Sequence, residues 1–179
     1  LTSNTKYFYV ATAWNSSGTT TSSEQSIWTV PDPSRHSATF QQNFEANHEI
    51  GLEFEPAQDL AADGYLILQR SGATIDDDPV DLTNYNVGAS LGSSKVAAVI
   101  TDDTQSSATI SSLSFQSKYS FLLIPFNWDG STADSKNYLT TGTVPKLTAF
   151  TIPTLGEWGM IAFIGLMAFG GFVFVRRLG

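Results

Sequence analysis

Few side chains in this chain have the types and spacing that catalysis needs. Glu53 and Glu55 stand at alternate positions, and on one face of a strand their carboxyl groups would lie about 7 Å apart. Two carboxylates do acid–base work when they line a cleft, whereas strand glutamates that face solvent are only hydrated. The two histidines, His36 and His48, are not at metal-ligand spacing, and no glycine-rich phosphate loop leads into a helix. We therefore predict no catalytic residue, no cofactor and no enzymatic activity in this region.

A run of aspartates is the strongest candidate for a metal site. Asp76, Asp77 and Asp78 precede Pro79, and calcium takes oxygen ligands of this kind. The run lacks the spaced pattern of a calcium-binding loop, so we predict a hydrated turn and keep calcium as the alternative. The chain has no cysteine, which excludes a disulfide framework and a thiolate metal site. We predict no metal ligands.

The overall charge is acidic, with 17 acidic against 9 basic residues and a formal net charge of −8. A surface of this sign repels phosphate backbones, so we predict no nucleic-acid partner. Short apolar runs alternate with segments rich in Ser, Thr, Asn, Gly and Asp, which is typical of an all-β protein with polar loops.

The sequence repeats itself at a constant offset of 112 residues. Residues 1–18 match residues 113–130 without a gap, with identical residues in the pairs Leu1/Leu113, Lys6/Lys118, Tyr7/Tyr119, Asn15/Asn127 and Gly18/Gly130. A period of this length indicates tandem domains rather than small stacked units. The first copy lacks its front part. We therefore expect a truncated domain over 1–31 and further sequence ahead of Leu1, including an export signal.

Alternating apolar side chains predict short strands along the chain. The predicted strands are Lys6 to Trp14, Ala38 to Ala46, Ile50 to Phe54, Gly64 to Arg70, Lys95 to Thr101, Ala108 to Ser111 and Lys118 to Phe126. Strands of this length, joined by polar turns, indicate a β-sandwich. Residues 71–94 show no clean alternation and are predicted to form an extended loop over a sheet edge, with Tyr85 and Leu91 as plugs. Trp128 is predicted either to be a contact residue or to pack on the sandwich.

In each copy a leucine precedes a tyrosine by six residues, as Leu1 and Tyr7 and as Leu113 and Tyr119. This spacing resembles the tyrosine corner of a β-sandwich, in which the tyrosine hydroxyl bonds back to upstream backbone. Phe54-Glu55-Pro56 stands where the fibronectin type III family has Trp-x-Pro, and the chain resembles that family. The resemblance implies an all-β fibronectin type III or immunoglobulin-like sandwich.

A long apolar run lies near the C-terminus. From Met160 to Val175 it extends for 16 residues without a charge, and Arg176 and Arg177 follow it. A membrane-spanning helix needs about 17–25 apolar residues, so we predict one transmembrane α-helix over 159–175. The arginine pair is predicted to be a cytoplasmic basic end, with Trp158 at the opposite interface and the body of the chain outside the cytoplasm.

A short motif precedes this predicted helix. Its residues are Ile152, Pro153, Thr154, Leu155, Trp158 and Gly159. Motif, apolar helix and basic end together resemble the IPTL-CTERM sorting domain. The resemblance implies processing by an exosortase of the H type, a membrane protease-transpeptidase of Gram-negative bacteria, so that the tail serves as an address. The alternative is an ordinary C-terminal anchor helix.

These interpretations divide the chain into consecutive parts. They are a truncated sandwich domain over 1–31, a complete sandwich over 32–144, a linker over 145–151 and the sorting signal over 152–179. We predict an exported bacterial protein, at the cell surface or secreted, whose modules are non-catalytic adhesive or spacer units. Its expected partners are an exosortase, the lipid bilayer around the C-terminal helix, and an unspecified glycan or protein ligand. The alternatives are the accessory C-terminal region of a secreted enzyme with an upstream catalytic domain, and an inner-membrane protein with a periplasmic binding domain.

Overall fold

The structure, a computed structural model, describes residues 5–46, 48–114, 116–130 and 135–150. Over these ranges the regular structure is β-strand, apart from a 3₁₀ turn at Ala57–Leu60 and 3₁₀ conformation at Ser135. The strands are β1 (Lys6–Tyr9), β2 (Thr12–Asn15), β3 (Gly18–Thr21), β4 (Gln25–Trp28), β5 (Phe40–Ala46), β6 (Glu49–Phe54), β7 (Gly64–Ser71), β8 (Ser90–Leu91), β9 (Ser94–Ile100), β10 (Ser107–Ile110), β11 (Lys118–Asn127), β12 (Asn137–Tyr138) and β13 (Lys146–Phe150).

The first four strands form a hairpin of two ladders. β1 pairs with β4 and β2 pairs with β3, both antiparallel, and the register changes between the two ladders. The predicted single strand from Lys6 to Trp14 is therefore two strands. Ser22 lies at the break, where its Oγ accepts a hydrogen bond from the Ala11 N–H at 2.9 Å.

The remaining strands form a sandwich of two sheets. The smaller sheet has the order β10-β6-β5, and the larger has the order β12-β11-β7-β9-β8, with β13 also paired to β11. The predicted all-β sandwich is confirmed. Strands β5, β6, β7, β9, β10 and β11 begin and end within two residues of the predicted positions. Alternation predicted most of them because one face lies in the core between the sheets, whereas β7 was predicted from a run that is apolar on both faces at its centre.

That core is built from alternate residues of the central strands. Its fully buried members from β6, β7 and β11 are Ile50, Leu52, Tyr65, Ile67, Phe121 and Leu123. Phe54 of the predicted Phe-Glu-Pro motif is also buried, and its ring meets the Tyr65 ring edge-on with centroids 5.1 Å apart. Such aromatic pairs stabilise a core beyond the area that they bury.

A second apolar cluster lies on the outer face of the larger sheet. Its buried members from β7 and β11 are Leu66, Leu68, Leu122, Ile124 and Phe126. Residues 72–93, termed the covering loop, supply Ile75, Tyr85 and Leu91 against them. Tyr85 and Leu91 thus pack as predicted, but most of the loop covers a sheet face. Only β8 extends the edge, through its pairing with β9.

Strand β13 corrects the predicted linker. The sequence predicts a linker over residues 145–151, but Lys146–Phe150 pairs with β11. Ala149 is 2% exposed, and Leu147 packs against the core between the sheets. The alternation of Leu147 and Ala149 with polar neighbours is a strand signal, but it is short and precedes a much longer apolar run. The sandwich therefore extends to Phe150 rather than ending at residue 144.

Several predicted features fall on residues that the structure does not describe. The transmembrane helix over 159–175, the sorting motif from Ile152, the basic end and Leu1 lie outside the described residues. Tyr7 is described, in β1, with its side chain half-buried. Within the described ranges, no helix is long and apolar enough to cross a membrane.

Candidate functional site

The incoming chain is attached to the sandwich at the C-terminal end of β11. Asn127 Nδ2 donates a hydrogen bond to the backbone oxygen of Pro31 at 3.0 Å. Asn137 of the adjacent β12 donates from Nδ2 to the Val30 oxygen at 2.9 Å and to Asp32 Oδ1 at 2.7 Å. The two asparagines thus hold three successive residues before the first strand of the sandwich.

Further contacts continue this attachment over residues 30–36, which we term the incoming strap. Ser34 donates to the Leu60 oxygen from its N–H at 3.0 Å and from its hydroxyl at 2.6 Å. His36 Nε2 lies 2.8 Å from the backbone oxygen of Thr141. His36 therefore has a structural contact in the strap.

The chain leaves the sandwich at the opposite end of β11. Phe150, the last residue of β13, lies opposite Lys118, the first residue of β11. In the hairpin, Trp28 ends β4 and lies opposite Lys6, the first residue of β1. Lys6 and Lys118 are equivalent at the repeat offset of 112. In both copies of the repeat, a strand therefore ends opposite this lysine.

The residues of the second predicted tyrosine corner lie at this exit end. The Tyr119 hydroxyl accepts a hydrogen bond from the Ser114 N–H at 3.0 Å. Leu113 is buried, and its N–H donates to the His48 oxygen at 3.0 Å. His48 Nδ1 lies 2.5 Å from the Leu113 oxygen. These contacts tie the segment between β10 and β11 to the turn before β6.

Glu53 and Glu55 have different partners and do not act as a pair. Glu55 Oε2 lies 2.9 Å from Arg35 Nη1 and accepts a hydrogen bond from the Ala38 N–H at 2.5 Å. Bonding to the Arg35 guanidinium, and then to the Ala38 N–H, lowers the pKa of the Glu55 carboxyl. Glu53 accepts a hydrogen bond from Gln41 Nε2 at 3.1 Å. The geometry is that of separate cross-strand and loop contacts, with no shared cleft.

The predicted aspartate turn anchors the covering loop. Asp77 Oδ2 accepts hydrogen bonds from the Ser94 hydroxyl at 2.6 Å, the Ser93 hydroxyl at 2.9 Å and the Ser93 N–H at 3.1 Å. These donors, with the Ser94 hydroxyl first, lower the pKa of the Asp77 carboxyl. Asp76 Oδ1 lies 3.4 Å from Lys146 Nζ of β13. Among the described residues, no group of three His, Asp or Glu side chains is placed to hold a metal ion.

Residues Gly88 to Gly92 read Gly-Ala-Ser-Leu-Gly and match the Gly-x-Ser-x-Gly pattern of a hydrolase nucleophile elbow. This pattern was not among the predicted motifs. An elbow places its serine on a sharp turn between a strand and a helix. Ser90 lies instead in β8, exposed and paired with Lys95 of β9. An antiparallel pair of strands does not present the serine as a nucleophile. The match is therefore confined to the sequence pattern.

The sequence did not predict the burial of Lys136. This residue is 3% exposed, and its Nζ lies 5.0 Å from the Phe126 ring centroid and 5.1 Å from that of Trp128. Nζ donates a hydrogen bond to Asn84 Oδ1 at 2.6 Å, and burial lowers the pKa of the amine. The contacts with the rings and the amide fix the covering loop to the last hairpin of the sandwich. Trp128 is half-buried against Phe126, so it packs on the sandwich.

A shallow cleft of about 680 Å³ lies between the covering loop and the chain leading into β13. Its lining includes Asp76, Asp78, Thr140, Thr143 and Lys146. Small-molecule sites are mostly apolar and enclosed, with a few convergent polar groups. The described lining of this cleft carries neither a histidine nor an aromatic ring, and it lacks that character.

The hairpin presents large apolar side chains to solvent. Tyr9 is 54% exposed and Trp14 is 79% exposed. Their equivalents at the repeat offset, Phe121 and Phe126, are both 0% exposed. The same strand of the fold is therefore core in the second copy and surface in the first.

Comparison with known proteins gives a family match and likenesses to solved structures. Residues 151–177 match the model of the IPTL-CTERM motif. A crystal structure of the FN1–FN3 domains of chicken CNTN1 is similar to this chain with a TM-score of 0.48 and 16% sequence identity. The similarity covers 86% of this chain and 43% of that chain, so this chain spans less than half of that structure. No curated protein matches the sequence.

The family match confirms the resemblance that the ordered motif and the basic end indicated. It begins directly after β13, which ends at Phe150. The likeness to a solved structure concerns the fold alone. The chain thus carries an IPTL-CTERM motif over residues 151–177, directly after a two-sheet β-sandwich.

Proposed function

We propose that this chain is part of an exported bacterial surface protein, in which non-catalytic sandwich modules act as spacers and the C-terminal motif directs sorting. The IPTL-CTERM match supports export and processing by an exosortase-type enzyme. Before processing, the tail crosses the inner membrane as a helix over 159–175, with Arg176 and Arg177 in the cytoplasm. This orientation follows the preference of basic residues for the cytoplasmic side.

The spacer role is supported mainly by the path of the chain, which enters the sandwich at one end and leaves it at the other. The incoming strap is bound where β11 ends, and β13 leaves where β11 begins. β11 is ten residues long, so it spans about 33 Å. Modules with entry and exit at opposite ends line up head to tail. Each one adds about this length to the distance from the membrane.

The hairpin, strands β1 to β4, fits this arrangement as the C-terminal part of a preceding module. Its exposed Tyr9 and Trp14 correspond to buried positions in the second copy. In a complete module of this kind, the other strands of the sandwich would cover them. Burying large aromatic side chains is strongly favourable, which is the physical reason for this assignment.

The test is to express the natural full-length protein in a Gram-negative host with its exosortase and in a matched strain without the enzyme. Intact mass spectrometry of inner-membrane, outer-membrane and extracellular fractions then shows the C-terminus. We expect material outside the inner membrane that ends before Gly179 in the first strain, and inner-membrane chains that end at Gly179 in the second. A variant with Pro153→Ala and Thr154→Ala is expected to behave in the first strain as the wild type does in the second. Full-length chains in the inner membrane of both strains would contradict the proposal.

A further inference from the structure

We infer that β13 sets the upstream limit of C-terminal processing, so that the enzyme cuts after Phe150 and the mature protein keeps β13. This inference rests on the proposed function, because it concerns the same processing step. β13 ends at Phe150, and the match to the sorting motif begins at residue 151. The sandwich and the matched sorting motif are therefore adjacent in the chain, with no residue between them.

β13 is an integral part of the sandwich. It pairs with β11 along its whole length, and it also lies against β5 of the smaller sheet. Ala149 is buried in the core between the sheets. Lys146 Nζ donates a hydrogen bond to the Ile75 oxygen at 2.8 Å, which connects β13 to the covering loop. Removing β13 would open the core on one side and release the loop on the other.

The pairing of β13 also protects it from cleavage. A peptidase binds its substrate as an extended segment that has come away from the fold, whereas β13 is bonded to β11 through alternate N–H and C=O groups and packs Leu147 and Ala149 against the core. A cut between Lys146 and Phe150 requires β13 to detach first, and the rate then follows the small population of the detached form. A cut beyond Phe150 removes no residue of the ladder. The folded sandwich thus acts as a stop for the enzyme.

The same adjacency determines which part of the sandwich the enzyme meets. From Phe150 to Trp158 the chain can span at most about 29 Å when fully extended. While Trp158 lies at the membrane interface, the exit end of the sandwich is held within that distance of the bilayer. This end carries Leu113 and the Tyr119–Ser114 hydrogen bond. The enzyme therefore works between the membrane and the exit end.

The experiment maps the C-terminal residue of the processed protein by mass spectrometry in the exosortase-containing host. Two variants of the full-length protein are compared, Ala149→Asp in the buried position and Thr148→Asp at the neighbouring exposed position. We expect the wild type and Thr148→Asp to end at Phe150 or later. In Ala149→Asp, a buried unpaired charge detaches β13, and products ending between Lys146 and Ala149 should rise by about tenfold or more.

The possible results separate this inference from the proposed function. Wild-type protein that ends before Phe150 would overturn the inference and leave the sorting function intact. The same follows if Ala149→Asp folds and is processed at the wild-type position, because detaching β13 would then not move the limit. If Ala149→Asp does not accumulate, the wild-type C-terminus decides alone. Full-length chains in every fraction would overturn the sorting function, and this inference with it.

Discussion

Tyr119 fixes the path of a loop with one hydroxyl group. Its ring is buried at the start of β11, and its hydroxyl accepts the Ser114 N–H from the segment just before that strand. The hydroxyl therefore accepts a backbone donor of the segment between β10 and β11 and ties that segment to the strand. Groups of this kind cost free energy when their partner is removed.

Replacing Tyr119 with Phe is expected to lower the free energy of unfolding by about 1 kcal/mol, because the ring is kept and the acceptor is lost. Denaturant unfolding of the purified protein measures the change. The matched control is Tyr9→Phe, at an exposed position of the hairpin, which is expected to stay within about 0.5 kcal/mol of the wild type. Equal stability of the two variants would show that the Tyr119 hydroxyl does not hold the loop.

At this scale the sequence is most informative about local contacts. Tyr119 and Ser114 are five residues apart, so a rule based on residue spacing can predict a contact between them. Lys136 and Asn84 are 52 residues apart, and their contact depends on how the covering loop folds back on the sheet. A lysine in a polar segment carries no signal of burial, so its position beside two aromatic rings could not be predicted from sequence. Asp77 falls between these cases, because a turn was predicted but its serine partners were not.

Among the elements, the incoming strap shows how side chains can fix a segment without regular structure. Residues 30–36 contain no strand, yet Asn127 and Asn137 bind three of their groups. The strap is therefore expected to be as ordered as the sheet that it contacts. Its order determines the direction from which the chain enters the module.

Changing Asn127 and Asn137 together to Ala is expected to release the strap. Amide hydrogen exchange at Ser34 should then become faster by about tenfold or more, since each factor of ten corresponds to about 1.4 kcal/mol of lost protection. Hydrogen exchange followed by NMR or mass spectrometry measures it. Asn86→Ala, at an exposed position of the covering loop, is the control and should leave the strap unchanged. Unaltered exchange in the double variant would mean that the strap is held by other contacts.

The central strands show what alternation can and cannot predict about an element. β7 and β11 are apolar on both faces, and this pattern indicates a strand that is buried on both sides. The pattern does not show which segment covers the outer face of these strands, and the covering loop has no periodic pattern of its own. β13 was missed for a related reason, because five residues beside a long apolar run give a weak signal. The covering loop and β13 become part of the sandwich through contacts with residues that are distant in the sequence.

For the whole molecule, the hairpin and the sandwich are separate in their strand pairing. Strands β1 to β4 pair only among themselves within the described residues. The repeat in the sequence predicted that the hairpin belongs to another module, and its exposed aromatic side chains support that proposal. The path of the chain from one end of the sandwich to the other could not be predicted, because it depends on the register of β13.

A chain over residues 30–150 is therefore expected to melt within about 2 °C of a chain over residues 1–150. The reason is that removing the hairpin takes away no strand paired to the sandwich. Calorimetry or circular dichroism measures the two melting temperatures. A fragment over residues 1–31 alone is expected to stay unfolded, since isolated two-stranded hairpins are marginal in water. A loss of more than about 5 °C on removing the hairpin would show that it is part of the same cooperative unit.

The opposite positions of the incoming strap and Phe150 have a mechanical consequence. β5 and β13 both run from the strap end of the sandwich to the exit end. Tension applied between the two chain ends therefore pulls these strands in opposite directions along their own axes. Ladder hydrogen bonds lie across that direction, so the bonds of one ladder bear the load together instead of breaking one by one. A protein held at the bacterial surface by such modules would resist the drag of flowing liquid through shear, with a lifetime governed by its unfolding rate.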